Sequence, residues 1–354
     1  LVLPVECNMS GTIYPVRELA VRMQRERARR GGRCWLLLLD ASKFLTSHSL
    51  SLTAVPADMV VFSFYKIVGF PSGLGGLVLR KETFLSSSSS SFLLPFPSFF
   101  GGGSVDFVHP SRPHTFRMKG RQLHDRFEMG TLNTSSILLL PSVFNAFASF
   151  VLQEEKEENE DGCLVDLPSF QEAMERVNRH TTSLKAYCIR QMRERLVYKT
   201  SNQPAVRFYS LHQEDEEEQQ GEQGATLLFL PLKPNGRDVI GYHETVSFLH
   251  SPPPHKPPIR PVQVRGGCFC NQGGCLALLS LSEEAFERMV GLNSTDNSTN
   301  NNTESTESAQ GAFKVCGDDL DVIDGKPTGL VRVSFGVGSC KQDVDALVAS
   351  LEQL

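Results

Sequence analysis

Two short apolar runs, the second broken only by Ser63 and each ending beside a residue able to do chemistry, constrain this chain more than anything else in it. Cys34-Trp35-Leu36-Leu37-Leu38-Leu39 ends at Asp40, and Met59-Val60-Val61-Phe62-Ser63-Phe64 ends just before Lys66. Runs of that length without polar alternation read as strands covered on both faces. Ahead of the first, Val16, Leu19, Ala20 and Met23 recur at helical spacing, while Arg17, Arg22, Arg25, Arg29 and Arg30 fill a solvated opposite face. Gly31-Gly32 stops that helix. Gly76-Leu77-Val78-Leu79 supplies a third strand. Helix between buried strands predicts an α/β fold with a mostly parallel sheet. In such sheets functional residues gather at the carboxyl ends of strands, where Asp40 and Lys66 both fall.

Further along, Ile137 to Leu152 reads as a long apolar helix, and the acidic run 154–161 that follows marks the expected domain boundary. The expected division is a large domain over 1–153 and a smaller α+β carboxy-terminal domain over 163–354. Phe170 to Arg195 supplies a helix of the latter, and Thr226 to Leu230 and Val331 to Phe335 its strands. The Ser run 86–91, the acidic runs 154–161 and 214–222, the Pro-rich segment 252–261 and the Asn/Ser/Thr tract 293–308 read as insertions or loops. With 354 residues, 40% of them hydrophobic, there is material for two cores. A net charge of −5 argues against a general nucleic-acid binder. No apolar run approaches about 18 residues, so no membrane span is expected. Nine cysteines, an odd count in a long chain, suit a reducing, cytoplasmic compartment better than a disulfide framework.

Three features carry chemistry. Lys66 lies in Ser63-Phe64-Tyr65-Lys66-Ile67-Val68-Gly69-Phe70-Pro71-Ser72-Gly73-Leu74-Gly75-Gly76, directly after a strand and before a Gly-rich turn. Burial there would lower the amine's pKa and ready it for covalent chemistry, and Ser63 with the turn's N–H groups could cradle a phosphate. The plainer alternative is a lysine snorkelling to water from a strand end. Asp40, at the end of the neighbouring strand, is either a turn aspartate or a carboxylate for a ring nitrogen. The loop Arg265-Gly266-Gly267-Cys268-Phe269-Cys270-Asn271-Gln272-Gly273-Gly274-Cys275 sets three thiols among small residues beside a cation that favours thiolate. A zinc site with Cys316 as fourth ligand is the competing reading, although C-x-C-x4-C is not a usual ligand spacing. Cys7, Cys34, Cys188 and Cys340 read as ordinary buried thiols.

Taken together these segments resemble the class V aminotransferase-like cysteine desulfurases, and within them the amino-terminal domain of the molybdenum cofactor sulfurases. The match runs in patches: Cys7 to Gly11, Asp40-Ala41-Ser42, Ser63 to Gly76, Phe127-Glu128-Met129-Gly130-Thr131, Arg265 to Cys275 and Cys316 to Gly336. The resemblance implies a pyridoxal-phosphate cofactor bonded to Lys66, with Asp40 on its pyridine nitrogen and Ser63 on its phosphate. Gly130 and Thr131 match a segment that, in dimeric relatives, reaches the other subunit's phosphate, so a homodimer is expected. Asn8 and Arg332 match positions that hold the substrate carboxylate, a task a guanidinium performs through paired hydrogen bonds. Cys270 matches the persulfide-forming cysteine. Tyr65 stands where many desulfurases have His, and Lys43 where many have Gln. The family also carries a segment before the equivalent of Leu1 and a further domain beyond the equivalent of Leu354, so a chain truncated at both ends is expected.

The implied function is removal of sulfur from L-cysteine through a persulfide on Cys270, with release of alanine. By the same resemblance the sulfur passes to the molybdenum cofactor of xanthine dehydrogenase or aldehyde oxidase-type enzymes. The rival readings are a general desulfurase feeding iron–sulfur assembly and a non-catalytic fragment.

Overall fold

The computed structural model describes residues 1–30, 35–69, 73–85, 102–112, 115–119, 122–153, 167–210, 223–252, 260–284, 287, 321–323 and 325–354. The Ser run 86–91, both acidic runs, Pro253 to Ile259, the tract 293–308, Gly31-Gly32, Phe70-Pro71-Ser72, Cys34, Cys163, Cys316 and Asp324 lie outside the described residues. The chain divides into two compact units, Leu1–Val5 with Pro15–Glu175 and Glu6–Tyr14 with Arg176–Leu354. That division differs from the expected 1–153 and 163–354 in two respects. A segment from the beginning of the chain joins the second unit, and the break falls inside a helix.

In the first unit, β1 (Val2–Pro4), β2 (Leu38–Asp40) and β3 (Met59–Ser63) are parallel neighbours. Strand β4 (Gly75–Leu79) runs antiparallel to β3. The eleven residues between β3 and β4 fall short of the dozen or more that a parallel crossover takes. Strand β2 is shorter than its apolar run, and Trp35 is 75% exposed. Helix α1 (Val16–Arg29) buries Val16 and Ala20, as its periodicity predicts. Its Arg27 forks onto Asp58, with Nη1 and Nη2 each 2.7 Å from a carboxylate oxygen. Asp58 is buried and also accepts the Leu37 N–H at 2.8 Å and the Thr83 hydroxyl at 2.8 Å. Burial alone would raise its pKa, but the Arg27, Leu37 and Thr83 hydrogen bonds hold the carboxyl below its usual range. One carboxylate thus ties α1 to the starts of β2 and β3.

Beyond β3 come α2 (Phe64–Val68), α3 (Lys81–Leu85), a hairpin of β5 (Val105–Val108) with β6 (Phe116–Met118), and α4 (Thr134–Leu152). Edge-to-face contacts run from Phe62 to Phe64, Phe64 to Phe144 and Phe144 to Phe170, packing α2 on α4 and α4 on the first turns of α5 (Leu167–Arg195). A Cβ on Gly76 would meet the Phe62 ring at 2.3 Å, so that ring requires a glycine opposite it. Asn133 caps α4 by accepting the Ser136 N–H at 3.2 Å. By length and composition α4 is sufficient to cross a membrane, with a mean hydropathy of 1.8 and 11% of that window buried. That corrects the expectation that no segment is; a core helix passes the same test.

The second unit is built on an antiparallel sheet ordered β7 (Val206–Tyr209), β8 (Thr226–Pro231), β12 (Leu330–Ser334) and β9 (Arg265–Gly267). Every residue of β8 is buried, as the apolar run Leu227 to Leu230 after its polar Thr226 requires. Among the described residues, helices α6 (Tyr242–His250), α7 (Gln272–Leu279) and α8 (Lys341–Leu351) and the small hairpin of β10 (Val322–Ile323) with β11 (Lys326–Pro327) join it. Leu184, Cys188 and Met192 of α5, Val344, Leu347 and Val348 of α8, and Met9 share one core with β8 and β12. Burial pushes the Cys188 thiol up to about 12, so it remains an inert core group. Cys340 opens α8: its N–H donates to Asp343 Oδ2 at 2.9 Å, and this bond with that of its thiol holds the Asp343 carboxyl low.

Candidate active site

The residues singled out by sequence are divided between the units. Asp40, Ser63, Lys66, Gly130 and Thr131 lie in the first, and Asn8, Cys270 and Arg332 in the second.

In the first unit Asp40 ends β2 and pairs in register with Val61, two residues before Ser63 ends β3. Carboxylate and hydroxyl therefore leave the same edge of adjacent parallel strands. Asp40 Oδ1 accepts the Ser42 N–H at 2.8 Å, which fixes the carboxylate's orientation. Lys66 lies on α2, one turn past Ser63, and the helix closes at Gly69 (φ 71°), whose N–H donates to Tyr65 O at 3.0 Å. The Lys66 ammonium lies 6.0 Å from the centre of the Tyr65 ring. Lys66 is exposed, so the expected desolvation of its amine is not found. Ser63 precedes the helix yet makes no capping bond with its side chain. Gly130 (φ 76°) abuts Gly103, where a Cβ would come within 2.7 Å of the Gly130 backbone, and Thr131 is exposed.

The cysteine loop of the second unit connects β9 to α7. Phe269 (φ 54°) and Cys270 (φ 58°) are consecutive non-glycine residues in the left-handed region. Each costs about 1–2 kcal/mol, so the surroundings must hold them there. Phe269 is buried, its carbonyl accepts Asn8 Nδ2 at 2.7 Å, and the Arg332 guanidinium lies 4.8 Å from its ring centre. Arg332 Nη1 in turn donates to Asn8 O at 2.6 Å. On the other side Asn271 caps α7 by accepting the Gly274 N–H at 3.0 Å. With its neighbours pinned, Cys270 is left exposed at the tip.

Arg332 on β12 pairs in register with Arg265 on β9, so two guanidinium groups stand side by side on one face. Burial first, and then Arg265, lower the Arg332 pKa, and its Nε is a buried donor with no hydrogen-bond partner. Two cations and an unsatisfied donor make a site for an anionic group. Cys7 Sγ, 3.5 Å from Asn271 Nδ2, belongs to the same neighbourhood. Burial opposes its ionisation, but hydrogen bonds from Ser10, the Met9 backbone and Tyr14 outweigh burial and lower its pKa. Nothing in the sequence around Cys7 marks it for a role, and Arg265 stands out there only as the cation beside the thiols. Both juxtapositions arise from strand pairing and from the return of residues 6–14, for which no local signal exists.

Residues 3–161 match the aminotransferase class-V family. Along nearly all its length the chain is also similar to molybdenum cofactor sulfurases. It is 31% identical over 353 residues to molybdenum cofactor sulfurase 2 of Culex quinquefasciatus, covering 100% of this chain and 39% of that protein. It is 32% identical to molybdenum cofactor sulfurase 3 of Aedes aegypti, with the same coverage. Against the Bos taurus protein the identity is 31%, covering 98% of this chain and 32% of that one. The chain thus spans well under half the length of these relatives. Among solved structures, a cysteine desulfurase of Escherichia coli matches with a TM-score of 0.56 at 15% identity, covering 100% of this chain and 58% of that one. The apo cysteine desulfurase of Thermococcus onnurineus also gives 0.56, at 17% identity and 99% and 58% coverage. These likenesses establish the α/β fold with its mostly parallel sheet.

Proposed function

We propose that this chain is the cysteine-desulfurase part of a sulfurase, taking sulfur from L-cysteine onto Cys270 and releasing alanine with pyridoxal phosphate bonded to Lys66. The observation that carries the reading is the latch in the second unit. A strained, exposed Cys270 follows Phe269, which Asn8 and Arg332 hold, beside a paired-arginine site of the charge a substrate carboxylate needs. In the first unit the donor set suits the cofactor: an amine on Lys66, an oriented carboxylate on Asp40 and an uncapped hydroxyl on Ser63. When bound, pyridoxal phosphate supplies an electron sink for the substrate α-carbon.

The chain's own residues do the rest. Asp40 keeps a ring nitrogen protonated, the Lys66 amine moves the α-proton, and Arg332 with Asn8 orients the carboxylate. The Cys270 thiolate attacks the substrate sulfur as the carbon–sulfur bond breaks. The sulfur remains on Cys270 as a persulfide and the carbon skeleton leaves as alanine. That sulfur then goes on to a molybdenum cofactor, in keeping with the names of the relatives. Two variants test this reading. Lys66→Ala should abolish cofactor absorbance and alanine release. Cys270→Ser should retain the absorbance and lose alanine release; alanine formed at the normal rate would rule out Cys270 as the nucleophile.

A further inference from the structure

The loop that carries Cys270 also holds a pair of thiols that the proposed chemistry does not use. Cys268 Sγ lies 2.6 Å from Cys275 Sγ, whereas a covalent sulfur–sulfur bond is about 2.05 Å long. Both thiols aim at a single acceptor, the Thr328 carbonyl, at 3.4 Å and 4.0 Å. No third His, Cys, Asp or Glu joins the pair as a metal ligand among the described residues. Cys275 is 2% exposed while Cys268 is only partly buried, so a soluble reagent meets Cys268 first.

We propose that Cys268 and Cys275 form a reversible disulfide that brackets Cys270 and leaves it as the loop's one reactive thiol. With a disulfide such as oxidised glutathione as oxidant, the Cys268 thiolate attacks one glutathione sulfur and expels the other as thiolate. Cys275 then attacks Cys268 Sγ and expels the second glutathione, and the two cysteine protons leave with the two glutathione thiols. The sulfurs are already together, so closure leaves the left-handed turn at Phe269 and Cys270 in place. The benefit to sulfur handling rests on the role proposed for Cys270. A reduced neighbour could attack the outer sulfur of a Cys270 persulfide, take it as its own persulfide and release the Cys270 thiolate. The disulfide removes both such competitors.

The test counts thiols and needs no turnover, so it stands or falls apart from the desulfurase reading. The purified chain is equilibrated with oxidised and reduced glutathione, quenched in acid, alkylated in denaturant and digested with trypsin. The peptide Gly266 to Arg288 contains all three cysteines. Under oxidising mixtures it should lose two of its three alkylation sites and two mass units, with the remaining alkyl group on Cys270. Dithiothreitol should restore all three. Cys275→Ser should keep Cys268 alkylatable or glutathionylated, and Cys268→Ser should keep Cys275 alkylatable. Three alkyl groups at every ratio would overturn the proposal, as would a disulfide that includes Cys270 or zinc retained by the pair after purification.

Discussion

The two units hold their reactive residues in opposite ways. In the first, Asp40, Ser63 and Lys66 are placed by backbone, at the ends of neighbouring strands and one short helical turn beyond, and Asp40 and Lys66 are exposed. The side chain that secures this geometry, Asp58, sits at the other end of the strands. In the second, Cys270 sits on a conformation its own backbone disfavours, and side-chain hydrogen bonds pin Phe269 before it and the Asn271 cap after it. A strand-end site is therefore damaged by loosening its scaffold, whereas the loop site is damaged by removing its immediate neighbours.

The largest stability effect should come from Asp58→Ala, which strands the Arg27 guanidinium and should cost about 3–5 kcal/mol in urea unfolding. Asp58 also sets an acid limb. Its native pKa is below the unfolded value of about 3.9, so its stabilisation is complete above that pH and is lost as pH falls through the native value. In Asp58→Asn that limb should flatten; an unchanged acid profile would show that another carboxylate controls it. Next, Gly76→Ala forces a methyl into the Phe62 ring and should cost about 1–3 kcal/mol by thermal melting. Asn8→Ala sharpens the comparison from the other side. It should cost only about 1 kcal/mol of stability, yet most alanine release should disappear because the cysteine loop and the substrate carboxylate both lose a holding group. Retained activity with the same small loss of stability would show that the latch does not position Cys270. The smallest effect belongs to Arg195→Ala, which removes a partly exposed fork on Glu352 at 2.9 Å and 2.8 Å. Less than about 1 kcal/mol is expected in a double-mutant cycle with Glu352→Ala.

Local pattern was enough to reveal α1, β3, β8 and β12, because one-sided or complete burial leaves its period in the sequence. The strand-end placement of Asp40 followed from the same reasoning, whereas Lys66 falls one helical turn past its strand, on α2. The exposure of Lys66 did not follow, since flanking residues say little about what covers a side chain. Nor did the antiparallel β4, whose direction is set by the length of its connection rather than by its apolar residues. Arg265 beside Arg332 and Cys268 beside Cys275 depend on register and on a left-handed turn at non-glycine residues. Motif resemblance marked Asn8 and Arg332 without revealing that they grip the same loop.

The path of the chain through its two units bears on the order in which they can form. Residues 6–14 supply Cys7 and Met9 to a core whose central strand, β12, ends at Ser334. On a ribosome the first unit has its last residue, Glu175, while the second still lacks every strand of its sheet. At roughly 5–20 residues per second the early segment waits on the order of ten seconds or more for its partner strands. Met9, fully buried at the end, spends that interval without its final neighbours. A pause or a chaperone acting between the synthesis of residues 175 and 335 would therefore affect the cysteine half of the molecule more than the lysine half.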